Sequence, residues 1–125
     1  MITSEPAAAV MLTISTHDVG DVTVMELTGR LVLETAESPL RPALDALAAR
    51  GRSKIVLDIN GVTYIDSMGL GLLVAKFVSL RNRGGDLRFV HVTPRSMHLM
   101  AITNLSRVFE IFASEDAAVK SFAPA

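Results

Sequence analysis

The sequence predicts an α/β domain with one mixed β-sheet of about four to five strands and four helices. Three observations predict it. Residues 10–16 and 22–28 alternate apolar and polar side chains with the period of half-buried strands, and a short polar turn separates them. Residues 54–60 form a branched, nearly continuous apolar run, the pattern of an interior strand covered on both faces. Between that run and a further strand over 87–92 lies a helical stripe of Leu70, Leu73, Val74, Phe77 and Val78, widened by Leu72 and Leu80, which implies a parallel crossover.

Each element has local support. In the first strand Val10, Leu12 and Ile14 share one face, and His17-Asp18-Val19-Gly20-Asp21 carries the turn. In the second, Val22, Val24 and Glu26 oppose Thr23, Met25 and Leu27, with Gly29 as its end, and Leu31, Val32 and Leu33 add a short extended piece. A helix follows on Leu40, Ala43, Leu44, Leu47 and Ala48, with Thr35 or Ser38 as its cap and Pro39 and Pro42 near its start. Arg50 and Gly51 end it. Gly61 breaks the 54–60 strand, and Gly84-Gly85 closes the long helix. Thr93 caps and Pro94 begins a helix reaching Thr103 and burying Met97, Met100 and Ala101. Residues 108–112 form an edge strand, and Ser114 with Glu115 and Asp116 opens a last helix. Residues 1–9 read as a flexible tail and 10–125 as one domain.

Composition narrows the function classes. Net charge is -1, so there is no global basic field of the kind that attracts nucleic acid. Cysteine is absent, which excludes disulfides, thiolate chemistry and cysteine-ligated zinc. Glu5 stands where a signal peptide carries positive charge, and no apolar run is long enough to span a bilayer. The expectation is a soluble cytoplasmic protein with no direct membrane insertion.

The chain is organised around Asp66-Ser67-Met68-Gly69-Leu70-Gly71, where the interior strand passes into the long helix. Ser67 is expected to cap the helix, with Asp66 the competing cap, and beyond that geometry it can be a nucleophile or a phosphoacceptor. Two glycines inside the first turns of a helix each cost about 1 kcal/mol relative to alanine, which calls for a reason such as close backbone approach. The junction lies at the carboxyl end of a central strand, a common place for function in α/β sheets. Helix N-termini also favour anions. A hydrolase elbow would need glycine at the position of Ile65, and a dinucleotide loop would need one at Val74. His17, His91 and His98 form no recognisable triad, and His91 and His98 fall on different elements without clustered acids, so no metal site is expected. Met97 and Met100 read as core filling. Arg81, Arg83, Arg88, Arg95 and Arg107 read as solvated surface or as a docking face for an acidic partner.

With these residues in place, the chain resembles a STAS domain, and specifically the bacterial anti-sigma factor antagonists, over roughly residues 11–122. The resemblance is carried by Val62-Thr63-Tyr64-Ile65-Asp66-Ser67-Met68-Gly69-Leu70-Gly71 after the interior strand and by Arg83-Gly84-Gly85 before the next. It implies a non-enzymatic, cofactor-free regulator that switches partners. The serine after the aspartate, Ser67, is then phosphorylated by an anti-sigma factor that is also a serine kinase. Phosphorylation releases that partner, and a phosphatase resets the cycle. Asp66, Met68, Gly69, Leu70 and Gly71 would lie in or beside the partner interface. Two positions depart from the family pattern. Val32 stands where many relatives carry an aspartate, with Glu34 the nearby acid, and Met68 is larger and more apolar than the usual residue after the serine. These departures fit an alternative: a STAS interaction or scaffold module that is not phosphorylated, in a signalling complex or a lipid-transport assembly.

Overall fold

The computed structural model describes residues 11–122, so the tail assigned to residues 1–9, Val10 and the last three residues lie outside the described region. The expected architecture is present. A five-stranded sheet of order β1-β2-β3-β4-β5 is formed by β1 (Leu12–Val19), β2 (Val22–Leu31), β3 (Lys54–Ile65), β4 (Asp86–Val90) and β5 (Ile111–Phe112). β1 pairs antiparallel with β2, and every later pairing is parallel. The helices are α1 (Arg41–Ala49), α2 (Ser67–Asn82), α3 (Pro94–Ile102) and α4 (Glu115–Lys120). An irregular helical lead-in over residues 33–40 enters α1.

The two faces of the sheet are covered unequally. Met25, Leu27, Ile55, Leu57, Ile59, Leu87 and Phe89 face the main core, where they meet Leu44 and Leu47 of α1, Leu70, Leu73 and Phe77 of α2, and Met100 of α3. Phe109 joins this core with its ring 5.4 Å from Phe77 and 4.6 Å from Phe89, within the range of favourable aromatic pairs. The opposite face carries a smaller cluster of Val22, Val24, Val56 and Val90 under Ala118 of α4. β3 is therefore buried on both sides, as its branched run requires.

Several boundaries differ from the sequence expectation, each for a local reason. β1 continues through Val19, and the turn is confined to Gly20 and Asp21, with Gly20 in the left-handed region. Gly29 lies inside β2, which ends at Leu31; a Cβ at Gly29 would meet Met11 O. Gly61 likewise does not break β3. There the pairing slips, and β3 uses twelve residues against the ten of β2, with shifts between Glu26 and Thr28 and between Gly29 and Arg30. A Cβ at Gly61 would stand 2.7 Å from Thr28 Oγ1, so glycine lets the strands stay close across the bulge. Ser38 is extended, and neither it nor Thr35 caps α1. Thr35 is buried instead, its hydroxyl donating to Arg30 O at 2.6 Å and accepting from Val32 N–H at 3.0 Å.

β4 ends at Val90, two residues early, because His91 adopts a φ of +55° and turns the chain out of the sheet. β5 shrinks to two residues because a 3-10 turn, Leu105–Arg107, follows a left-handed Asn104. In α3, Met97 and Ala101 are exposed; the helix touches the core through Ser96, Leu99 and Met100. The caps at Thr93 and Ser114 form as expected, accepting from Ser96 N–H and Ala117 N–H.

Candidate functional site

The junction between β3 and α2 is pinned by its backbone. Asp66 N–H donates to Leu31 O at 3.2 Å, which ties the end of β3 to the end of β2. Asp66 then adopts an extended conformation and caps α2, its Oδ1 accepting from Gly69 N–H at 2.8 Å. Its carbonyl accepts from Leu70 N–H at 2.9 Å. The cap is thus Asp66, and Ser67 is the first residue of the helix. The expectation that the serine itself would occupy the cap position is corrected here. The aspartate takes the cap because its carboxylate is a stronger acceptor for a backbone N–H than a hydroxyl. The consequence is chemical: the Ser67 hydroxyl is exposed and is not used to hold the helix start.

The two glycines of the motif have different jobs. At Gly69 a Cβ would sit 2.2 Å from Leu31 O, so only glycine lets α2 approach the end of β2 this closely. At Gly71 a Cβ would meet nothing within 4 Å. Gly71 is exposed and keeps the surface beside Ser67 low. Close approach thus explains one glycine and leaves the other without a structural demand.

Leu70 faces inward, as its place in the helical stripe implies. It is 5% exposed and belongs to the core, whereas Met68 is 53% exposed. Of the residues named around Ser67, Met68 and Gly71 present surface, Asp66 is half-buried as the cap, and Gly69 and Leu70 set the position of the helix.

Ser67 opens onto a groove of about 200 Å³. One wall is α2, with Ser67, Met68, Gly71, Leu72 and Ala75; the other is the lead-in and the start of α1, with Leu33, Glu37 and Arg41. Arg41 Nη2 donates to Glu37 Oε2 at 3.1 Å along this second wall. These two residues were not singled out from sequence, although their i,i+4 spacing beside a helix start was a readable signal. Glu34 lies exposed on the first turn of the lead-in, and the acid on the groove wall is Glu37.

None of the three histidines lines this groove. His17 Nε2 meets Glu115 Oε2 at 2.8 Å, and His91 Nδ1 meets Asp58 Oδ2 at 3.0 Å. Among the described residues no three histidine or acidic side chains converge as a metal would require. No helix among them is long and apolar enough to cross a membrane.

The family model described as the STAS domain matches residues 13–118. The anti-sigma-B factor antagonist of Bacillus subtilis strain 168 is 32% identical over 81 residues, covering 65% of this chain and 73% of that protein. The crystal structure of an anti-sigma factor antagonist from Mycobacterium paratuberculosis superposes with a TM-score of 0.77 at 25% identity, covering 88% of this chain and 92% of that one. At 18% identity, where the likeness concerns the fold alone, the anti-sigma factor antagonist SpoIIAA in its unphosphorylated form gives a TM-score of 0.67, covering 87% of this chain and 96% of that one.

Proposed function

Because this chain belongs to the STAS domain family, we propose that it is an anti-sigma factor antagonist whose binding surface is switched by phosphorylation of Ser67. The observation that carries the reading is the exposed Ser67 hydroxyl, released from capping by Asp66 and set at the mouth of the Met68–Gly71 groove. The unmodified surface docks an anti-sigma factor that is also a serine kinase, and so frees the sigma factor. The kinase transfers the γ-phosphoryl group of ATP to Ser67 Oγ; the hydroxyl proton and ADP leave.

The domain tolerates the product. As first and second residues of α2, Ser67 and Met68 have N–H groups without intrahelical acceptors, and these, with the helix dipole, favour an anion at that point. The partner does not tolerate it. A phosphate brings about -1.5 to -2 charges to a surface that must be desolvated on docking. An interfacial charge left unpaired costs roughly 2–5 kcal/mol of affinity, enough to release a partner without refolding the domain. A phosphatase that hydrolyses the phosphoserine restores the first state.

The test is intact-mass measurement and peptide mapping of protein from its native cell, with the cognate anti-sigma kinase in vitro. One phosphate on Ser67, none on Ser67→Ala, and weakened kinase binding by Ser67→Asp are expected. Wild-type affinity for Ser67→Asp would sink the switch. The exposed apolar Met68 beside the serine favours a second reading, a constitutive interaction module. Native protein that holds its partner and never carries phosphate would select it.

A further inference from the structure

A second groove of about 200 Å³ lies on the other side of the β3–α2 junction, and neither the switch nor Ser67 uses it. It is lined by Tyr64 and Ile65 at the end of β3 and by Arg95, Ser96, His98, Leu99 and Ile102 of α3. It exists because β4 stops early. β4 pairs with Lys54 to Asp58 only, while β3 continues to Ile65. The left-handed turn at His91 sends the chain into α3, so the end of β3 faces a helix across a gap instead of a strand.

The floor is apolar and the rim is cationic. Ile65 and Leu99 lie low, whereas Tyr64 is 41% and Ile102 65% exposed, large apolar surfaces with water as their present neighbour. Just outside the lining, the Arg30 guanidinium stacks over the Tyr64 ring at 4.7 Å. Arg95 Nη1 makes one long bond, 3.4 Å, to Thr63 O. Elsewhere on the molecule Arg41, Arg52, Lys54, Lys76, Arg88 and Lys120 each meet a carboxylate, whereas the described Arg50, Arg81, Arg83 and Arg107 do not, so the groove is set apart by the lack of any acid in its lining. Among the described residues no carboxylate pairs with Arg30, Arg95 or His98, and no acid lines the groove. Apolar walls with uncompensated cations complement an occupant that is apolar and negatively charged. The volume is below the ~300–1,000 Å³ of sites for drug-sized ligands, and it suits one or two side chains of a polypeptide.

We propose that this groove is a docking site for an extended acidic-apolar segment of a protein partner, independent of the state of Ser67. An apolar side chain of the segment fills the space between Tyr64, Leu99 and Ile102. Its flanking carboxylates meet Arg95 and Arg30, with His98 at the same rim.

The test is an NMR titration of the full chain with a blocked peptide of alternating leucine and glutamate, against the same peptide with glutamine for glutamate. Expected are saturable shifts centred on Tyr64, Ser96, Leu99 and Ile102, with the glutamine peptide and the Arg95→Glu variant each weaker by about tenfold or more. Ser67→Asp should bind the acidic peptide as wild type does. The fold of Arg95→Glu is checked by its unperturbed spectrum elsewhere, and Arg95→Gln should fall between the two. The proposal is overturned by equal binding of the two peptides, by shifts that spare these four residues, or by loss of binding in Ser67→Asp. It is also overturned if octanoate alone saturates the groove as tightly as the peptide, since the site would then be one for small carboxylates.

Discussion

In the proposed switch Ser67 is available because Asp66 does the capping. Replacing the cap should therefore cost stability without removing the acceptor: Asp66→Ala is expected to lower unfolding free energy by about 1 kcal/mol while Ser67 still takes phosphate. Denaturant melts and a phosphorylation assay read the two effects separately. The glycines divide in the same way. Gly69→Ala forces a methyl against Leu31 O and should cost about 1–3 kcal/mol, as overpacking does. Gly71→Ala meets open space and should be neutral or stabilising by up to about 1 kcal/mol, yet weaken the partner by filling the groove floor. Equal destabilisation by both would show that the two glycines do one job. From sequence the pair looked alike, because propensity counts each glycine in a helix the same; only the position of Leu31, far away in the chain, tells them apart. Asp66 and Ser67 were similarly ambiguous as caps, since local chemistry permits either and the hydrogen bond to Gly69 decides.

Among the described elements, α4 is the one helix over the smaller hydrophobic cluster, and it is fastened to β1 by the His17–Glu115 pair. The Glu115 hydrogen bond holds the His17 pKa above its ordinary value, with desolvation opposing and the Glu115 charge assisting. A histidine raised on folding stabilises fully below its unfolded pKa and loses that contribution as pH rises through the folded value. The pair is partly exposed and screened, so the effect is expected to be small, at most about 0.5 kcal/mol after that discount. It should appear as a slightly higher melting temperature near about pH 5.5 than near about pH 8.5, and Glu115→Gln should remove the difference. Strand lengths were the least legible feature. The branched core of β3 was clear, but its continuation past Gly61 depends on a bulge against β2, and the early end of β4 depends on the backbone of His91. Neither leaves a periodicity to read. His91→Val should cost about 1–2 kcal/mol in thermal or chemical melts, because a branched side chain resists the left-handed region.

The molecule as a whole has a firm half and a loose half. Long β2–β3 pairing, α2 and the rings of Phe77, Phe89 and Phe109 lie together, whereas β5 has two residues and the cluster under α4 is small. Hydrogen exchange should therefore show the greatest protection in β2, β3 and α2, and the earliest opening in β5 and α4. Equal protection throughout would contradict this division. Ser67 sits on the firm half, at a junction pinned to β2 by Asp66 and packed through Leu70. A phosphate there changes the charge of a surface whose shape is already held from below. The proposed switch would therefore need no refolding of the domain on either side of the modification. On the proposed switch, its state would persist for as long as the phosphoester does, and both the delay and the duration of the response would belong to the kinase and the phosphatase. On that proposal the fold would be a memory written in charge, with a rigid page.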